Sequence, residues 1–283
     1  MQPKKNEQIA ETMTKNYPSV AQSFGITGIV ILGMILFSPL NLVLDKMIGK
    51  EASMLICYLL ATGIPFLIVY SIRKKKTEEG SFNLNIENKR IIPFVIVGTI
   101  ALLFGIISPI GNLIPMPESV KKAFIDFASQ TGVFAFILMV IAAPILEELI
   151  FRGIILDGLL KKYSPVKSIL ISSFLFGLVH LNPWQFVTGL IIGIFSGWIY
   201  YRTKSLSLSI IIHASANLSG FILRYFIDID SLMDDTLLEM YGGLSNLILV
   251  IVGSIIIVSG CIYFLIKEFS KKKIEMAAQQ CLK

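Results

Sequence analysis

The sequence is short of charge: Asp, Glu, Lys and Arg make up 16% of its 283 residues, against 54% hydrophobic. So small a charged fraction excludes an ordinary soluble domain and a disordered polyelectrolyte. The net charge of +6 does not change this, because the basic residues lie between apolar runs and form no patch for nucleic acid. Cysteine is scarce, and Cys57, Cys261 and Cys281 share no metal-type spacing. Two of them fall in apolar runs, so no disulfide framework is expected. Cys281 stands third from the last residue, where prenylation needs the fourth. Histidine is scarcer still, with only His180 and His213 in the whole chain.

What is abundant is apolar sequence in runs of spanning length. They lie near 24–44, 52–72, 91–114, 131–157, 167–183, 185–201, 206–226 and 244–266, each close to the roughly 20 residues that cross a bilayer. This predicts an all-α, multi-pass helical membrane protein with about eight transmembrane helices. The softest boundary is Asn182-Pro183-Trp184, which alone separates two of the runs. Residues 1–22 read as a polar tail, 23–270 as one membrane domain and 271–283 as a basic tail. The first 22 residues have no small-residue cleavage site, so the first run reads as a retained helix and not a signal peptide. With eight spans, 19 basic residues fall in the connections on one side and 4 (Lys46, Lys50, Lys121, Lys122) on the other. By the positive-inside rule, both termini are then cytoplasmic and the protein lies in the cell membrane.

Against this apolar background a few polar residues need a reason. Glu147, Glu148 and Arg152 sit inside the fourth run, where a charge costs about 2.5–3.5 kcal/mol on insertion scales. Glu148 and Arg152 are at i and i+4 on one helical face, an internal ion pair in the favourable order. Glu147 points about 100° away and is left free. Both histidines also lie in apolar runs, and His213 shares a face with Asn217. At about 1.5 Å per residue, Glu147 stands about 21 Å from Lys161, His180 about 20 Å from Lys167 and His213 about 14 Å from Lys204. All three therefore come near the middle of a core about 30 Å thick and can meet in one intramembrane cavity.

A carboxylate, two imidazoles and an amide suit water activation: Glu147 takes a proton, a histidine orients the water and Asn217 donates to an oxyanion. The set Glu147, His180 and His213 equally suits a divalent metal such as zinc. Spacing leaves the two open. Other intramembrane hydrolase patterns are missing. There is no His-Glu-x-x-His; Gly193-Ile194-Phe195-Ser196-Gly197 has one residue too many for the rhomboid Gly-x-Ser-Gly; Asp157 stands alone near a helix end, without the second aspartate of a presenilin.

Three motifs in order, Glu147-Glu148-x-x-x-Arg152, Phe176-x-x-x-His180 and His213-x-x-x-Asn217, resemble the CPBP (Abi) family of intramembrane proteases. That family includes the type II CAAX prenyl endopeptidase and the bacterial lysostaphin-resistance-like proteins. The resemblance covers about 130–222. It implies an all-helical fold with a catalytic cavity in the membrane and cleavage of membrane-associated peptides or proteins. Carried over, Glu147 and His180 activate water, His213 and Asn217 form the oxyanion site, and Glu148 with Arg152 support them. Many bacterial members are described as metalloproteases; the glutamate mechanism needs no cofactor and is the one favoured. The substrate does not carry over. An Ile-, Lys- and Asn-rich composition fits a bacterium, and bacterial relatives are linked to peptide pheromone processing, bacteriocin self-immunity and envelope regulation.

Two other classes compete with an endopeptidase. A non-catalytic membrane partner of a sensor or toxin would not need Glu147, His180, His213 and Asn217 intact. A proton-coupled transporter uses buried carboxylates and histidines, but no internal repeat is visible. Three further features read as structural. Residues 117–130 place Val120, Phe124 and Phe127 on one face, which suits an interfacial helix or a solvated connector. The acidic stretch Asp228, Asp230, Asp234, Asp235 and Glu239 reads as a solvated loop, and Gly189, Gly193 and Gly197 as a helix-packing ridge.

Overall fold

The computed structural model describes residues 16–226 and 235–281, with side chains described through Lys271. Lys4, Lys5, Lys15, Asp228, Asp230, Asp234 and Lys283, together with the side chains of Lys272, Lys273 and Cys281, lie outside the described residues. The rest is helical, with no strand among the described residues. Helix α1 (Val20–Ile48) starts at a capping box in which Ser19 and Gln22 satisfy each other's backbone N–H. It stops at Gly49, whose φ of +83° permits the sharp turn into α2 (Lys50–Thr77). Helix α3 runs from Lys89 to Asn112, followed by the short α4 (Glu118–Ala128) and by α5 (Val133–Leu160). Then come α6 (Pro165–Leu178), α7 (Pro183–Thr203), α8 (Leu206–Leu223) and α9 (Leu244–Cys281).

Six of these, α1, α2, α3, α5, α8 and α9, are long and apolar enough to cross a membrane. Leu36, Leu42 and Met47 on α1 and Leu249 and Ile256 on α9 are exposed; helices apolar all round present such surface to lipid. The expectation of about eight spans is corrected at the remaining two runs. Helix α6 has 14 residues, about 21 Å at 1.5 Å per residue, too short for a core of about 30 Å. It ends early because Leu181 turns back with φ +53° and Asn182 caps the next helix, accepting from Trp184 N at 2.9 Å and Gln185 N at 3.2 Å. Helix α7 is long enough but carries Gln185, Thr188 and Ser196, and falls short in apolarity. The glycine ridge packs α7 against α6: a Cβ at Gly189, Gly193 or Gly197 would press on Gly177, Ser173 or Ile169 respectively.

Helix α5 is the centre of the bundle. Its Ile150, Phe151, Ile154 and Ile155 are fully buried against Ile26 and Val30 of α1, Val69 of α2 and Leu175 and Phe176 of α6. It is also not a regular α-helix, since residues 137–142 and 149–156 widen to π-helical turns, as do 103–107 of α3. A widened turn leaves backbone carbonyls to be satisfied from outside, and in a membrane that partner must be protein. In all three it is a side chain from another part of the chain. Tyr241 donates to Phe104 O at 2.6 Å, Asn217 to Met139 O at 2.7 Å and Ser172 to Phe151 O at 2.9 Å.

The two ends of the bundle are tied by different polar contacts. At one end Asp157, which looked isolated in the sequence, is a hub: Tyr200 donates to it at 3.1 Å, and Lys161, Arg73 and Lys204 lie 3.2, 3.9 and 3.9 Å away. At the other end Lys50 pairs with Asp126 of α4, and Gly132 N donates to Glu51 at 2.7 Å. There α4 lies against the α6–α7 turn through the Phe124–Trp184 edge contact, 6.1 Å between centroids.

Candidate active site

Glu147 and Glu148 occupy the short α-helical stretch between the two π-helical turns of α5, at mid-length of the helix. Glu148 is completely buried, and Arg152 Nη1 donates to its Oε1 at 2.8 Å. The same oxygen faces His213 Nδ1 at 3.1 Å, and Ser196 donates to Oε2 at 3.4 Å. The guanidinium stacks on Phe176, with Cζ 4.3 Å from the ring centroid, a cation–π contact. That ring also meets His180 and His213 edge-on at 5.3 and 5.4 Å between centroids. Phe176 is thus the aromatic post around which Arg152 and both histidines are arranged.

Glu147 lies on the other side of the helix. Its Oε1 accepts from the Tyr58 hydroxyl at 2.8 Å. Its Oε2 is buried and has no hydrogen-bond partner among the described residues. His180 Nε2 and His213 Nε2 both approach that oxygen, each at 3.9 Å. His180 stands in the turn after α6, and its Nδ1 is 2.8 Å from Phe176 O. A carbonyl only accepts, so Nδ1 carries the proton and Nε2 presents a lone pair toward Glu147. A cavity of about 20 Å³ opens here, above the roughly 10–15 Å³ that one water needs. Glu147, His180, Tyr58 and Thr62 are the polar residues of an otherwise apolar lining; His213 meets Glu147 from outside it, and Asn217 sits one helical turn beyond His213 with one amide N–H on Met139 O.

The same three groups would be the donors for a divalent metal. Among the described residues no three His, Cys, Asp or Glu are arranged to share an ion. The 3.9 Å gaps exceed the roughly 3.3 Å edge of a tetrahedral zinc site with bonds near 2.0–2.1 Å. As arranged, these residues do not fit the metal.

The structure thus brings Glu147, His180 and His213 together, with Glu148 and Arg152 behind them, and adds residues that sequence reasoning missed. One wall of the cavity is Glu147, Phe151, Val179 and His180; the other is Val30 and Met34 of α1 and Tyr58 and Thr62 of α2. Tyr58 and Thr62 had a signal, polar groups at i and i+4 in an apolar run, as His213 and Asn217 are. Ser196 enters the sequence reading only through the rhomboid comparison, which does not point to Glu148. Val30 and Met34 carry no signal, being apolar residues among many.

Residues 129–219 match the model of the type II CAAX prenyl endopeptidase Rce1-like family. This segment is similar to that family over about a third of the chain. It contains Glu147, Glu148, Arg152, His180, His213 and Asn217, while α1, α2, α3 and α9 lie outside it. Among curated proteins, the chain is 38% identical over 77 residues to the Bacillus subtilis protein named "Putative membrane peptidase YdiL", 27% of this chain and 32% of that one. It is 37% identical over 81 residues to the Lactococcus lactis UPF0177 protein YxdF, covering 28% of this chain and 44% of the relative. The UPF0177 protein YbdI of the same organism is 34% identical over 105 residues, 37% and 56% of the two chains. The matches thus span between a third and somewhat over half of those relatives' length. No solved structure matches.

Proposed function

We propose that the protein is an intramembrane endopeptidase of the glutamate type, hydrolysing membrane-associated peptides or proteins without a metal. The observation that carries this reading is Glu147 Oε2, a buried carboxylate oxygen with no hydrogen-bond partner among the described residues, facing two imidazoles beside a water-sized cavity. A water there donates one hydrogen to Glu147 Oε2 and the other to His180 Nε2, leaving its lone pair for the substrate carbonyl. Glu147 takes the proton as the water attacks, with Tyr58 holding its other oxygen, and gives it to the leaving amine as the C–N bond breaks and the carboxylate product forms. His213 and the second Asn217 N–H stabilise the oxyanion. His213 is held by Glu148 through Nδ1, which turns its Nε2 toward Glu147.

The protein resides in the cell membrane with the Asp157 end of the bundle, where Arg73, Lys161 and Lys204 meet, facing the cytoplasm. Its reaction class suits processing of a peptide pheromone or bacteriocin, or self-immunity. The test compares protein and peptide termini in membranes and medium of native cells carrying wild type, Glu147→Ala or Glu148→Ala at equal expression. Termini that vanish with Glu147→Ala establish the protease and name its substrate. Unchanged termini, with a deletion phenotype that Glu147→Ala rescues, would refute catalysis in favour of a binding role.

A further inference from the structure

The cavity beside Glu147 is built from two parts of the chain. Glu147, Phe151, Val179 and His180 belong to the segment that matches the Rce1-like family, whereas the opposite wall comes from α1 and α2, outside residues 129–219. On that wall Tyr58 is engaged by Glu147. Val30 and Met34 supply its apolar surface. They stand at i and i+4 of α1, one above the other on the same face.

Helix α1 is held in a way that fixes this surface. Its described burial is one stripe, Ser23, Ile26, Thr27, Val30 and Gly33, with Leu32, Ile35 and Leu36 exposed. At Gly33 the backbone comes so close to α2 that a Cβ would collide with the Ala61 carbonyl and the Pro65 ring. Gly33 therefore sets the α1–α2 spacing immediately beside Met34. Val30 is 2% exposed and β-branched, a stiff floor. Met34 is half-buried, and its unbranched thioether chain repacks easily.

We propose that Val30 and Met34 form the subsite that selects the substrate side chain flanking the scissile bond, and that this side chain is apolar. The inference rests on the endopeptidase reading. With Met34 as it stands the cavity of about 20 Å³ has room for a water and not for a side chain. Met34 must swing aside to admit one, so its size sets the largest residue accepted. Selection then resides in α1 and catalysis in the matched segment.

The test uses the full chain in phosphatidylcholine nanodiscs with a mixed library of hydrophobic peptides, new termini being sequenced by mass spectrometry. Wild type is compared with Met34→Ala, Met34→Phe, Met34→Leu and a Glu147→Ala blank. We expect apolar residues at the cut in the wild type. Met34→Ala should raise the ratio of large to small apolar residues there about tenfold and Met34→Phe lower it as much, the order of discrimination a few methylenes give. Met34→Leu keeps the profile. If Met34→Ala and Met34→Phe slow all cleavages in proportion, leaving the profile unmoved, Met34 is only structural and the proposal is overturned. Glu147-dependent cuts without an apolar preference overturn it alone, even should a variant misfold. The absence of any Glu147-dependent cut overturns the endopeptidase reading and this one with it.

Discussion

Removing Arg152 should destabilise the protein far more than removing Arg152 and Glu148 together. Both side chains are buried, 1% and 0% exposed, so solvent screening that makes surface pairs weak does not apply. In Arg152→Met the carboxylate of Glu148 keeps only His213 Nδ1 and Ser196 as neighbours, and an uncompensated buried charge costs about 3–5 kcal/mol. In Glu148→Met the guanidinium keeps Phe176 beneath it. Its Nε and Nη2 already lack hydrogen-bond partners among the described residues, so the pair is incompletely satisfied in the native state. Replacing both by methionine removes two desolvated charges at once, and such replacements range from neutral to about 4 kcal/mol stabilising. The double mutant should therefore sit within about 2 kcal/mol of wild type, a coupling of several kcal/mol within the cycle. Unfolding in mixed micelles by titration with a denaturing detergent, followed by fluorescence of Trp184 and Trp198, reads this out. Additive losses, with the double mutant as unstable as the sum of the singles, would refute the ion-pair reasoning. Catalysis should be lost in the two variants that lack Glu148, because Glu148 also holds His213.

Three other outcomes are expected. Tyr58→Phe removes the donor to Glu147 Oε1; a hydrogen bond to a charged group is worth about 1.5–3 kcal/mol, so kcat/KM should fall about 10–100-fold with the elution profile unchanged. Leu181→Gly relieves a left-handed backbone (φ +53°) at a residue that is 59% exposed and so loses little packing; the unfolding midpoint should rise by the equivalent of about 1 kcal/mol. Chelation and dialysis should leave the cleavage rate of purified protein unchanged. Loss on chelation with recovery on adding zinc would show instead that the three donors close onto a metal.

Helix existence was legible because lipid-facing helices must be apolar over their whole length, and every expected run became a helix. Length was less legible at 167–183. Pro183 is a good helix starter and Asn182 a good cap, so the run breaks there, while the left-handed Leu181 that shortens α6 has no residue signature. The Glu148–Arg152 pair was legible from i, i+4 spacing, even though the turns that follow widen. The convergence of His180 and His213 on Glu147 agreed with depth counted from the loops. The π-helical turns were not legible, as no residue type encodes them. Nor was the far wall of the cavity, since Val30 and Met34 differ from lipid-facing residues only in which way they point.

The three widened turns bear on how the bundle comes together. Lipid tails and leucines are alike apolar, so packing alone poorly distinguishes one helix register from the next. Each widened turn offers a carbonyl that only a particular partner fills: Tyr241 for Phe104, Asn217 for Met139, Ser172 for Phe151. These act as keys in sockets, since sliding a partner by one residue swings its key away and strands a polar group in hydrocarbon. Two of the sockets flank Glu147 on α5, and their keys are on α6 and α8, the helices that lead to His180 and carry His213. The angle at which Glu147 meets the histidines is therefore a product of completed assembly. An α5 inserted without its neighbours lacks both the partners of its two sockets and the arrangement of Glu147 with the two histidines.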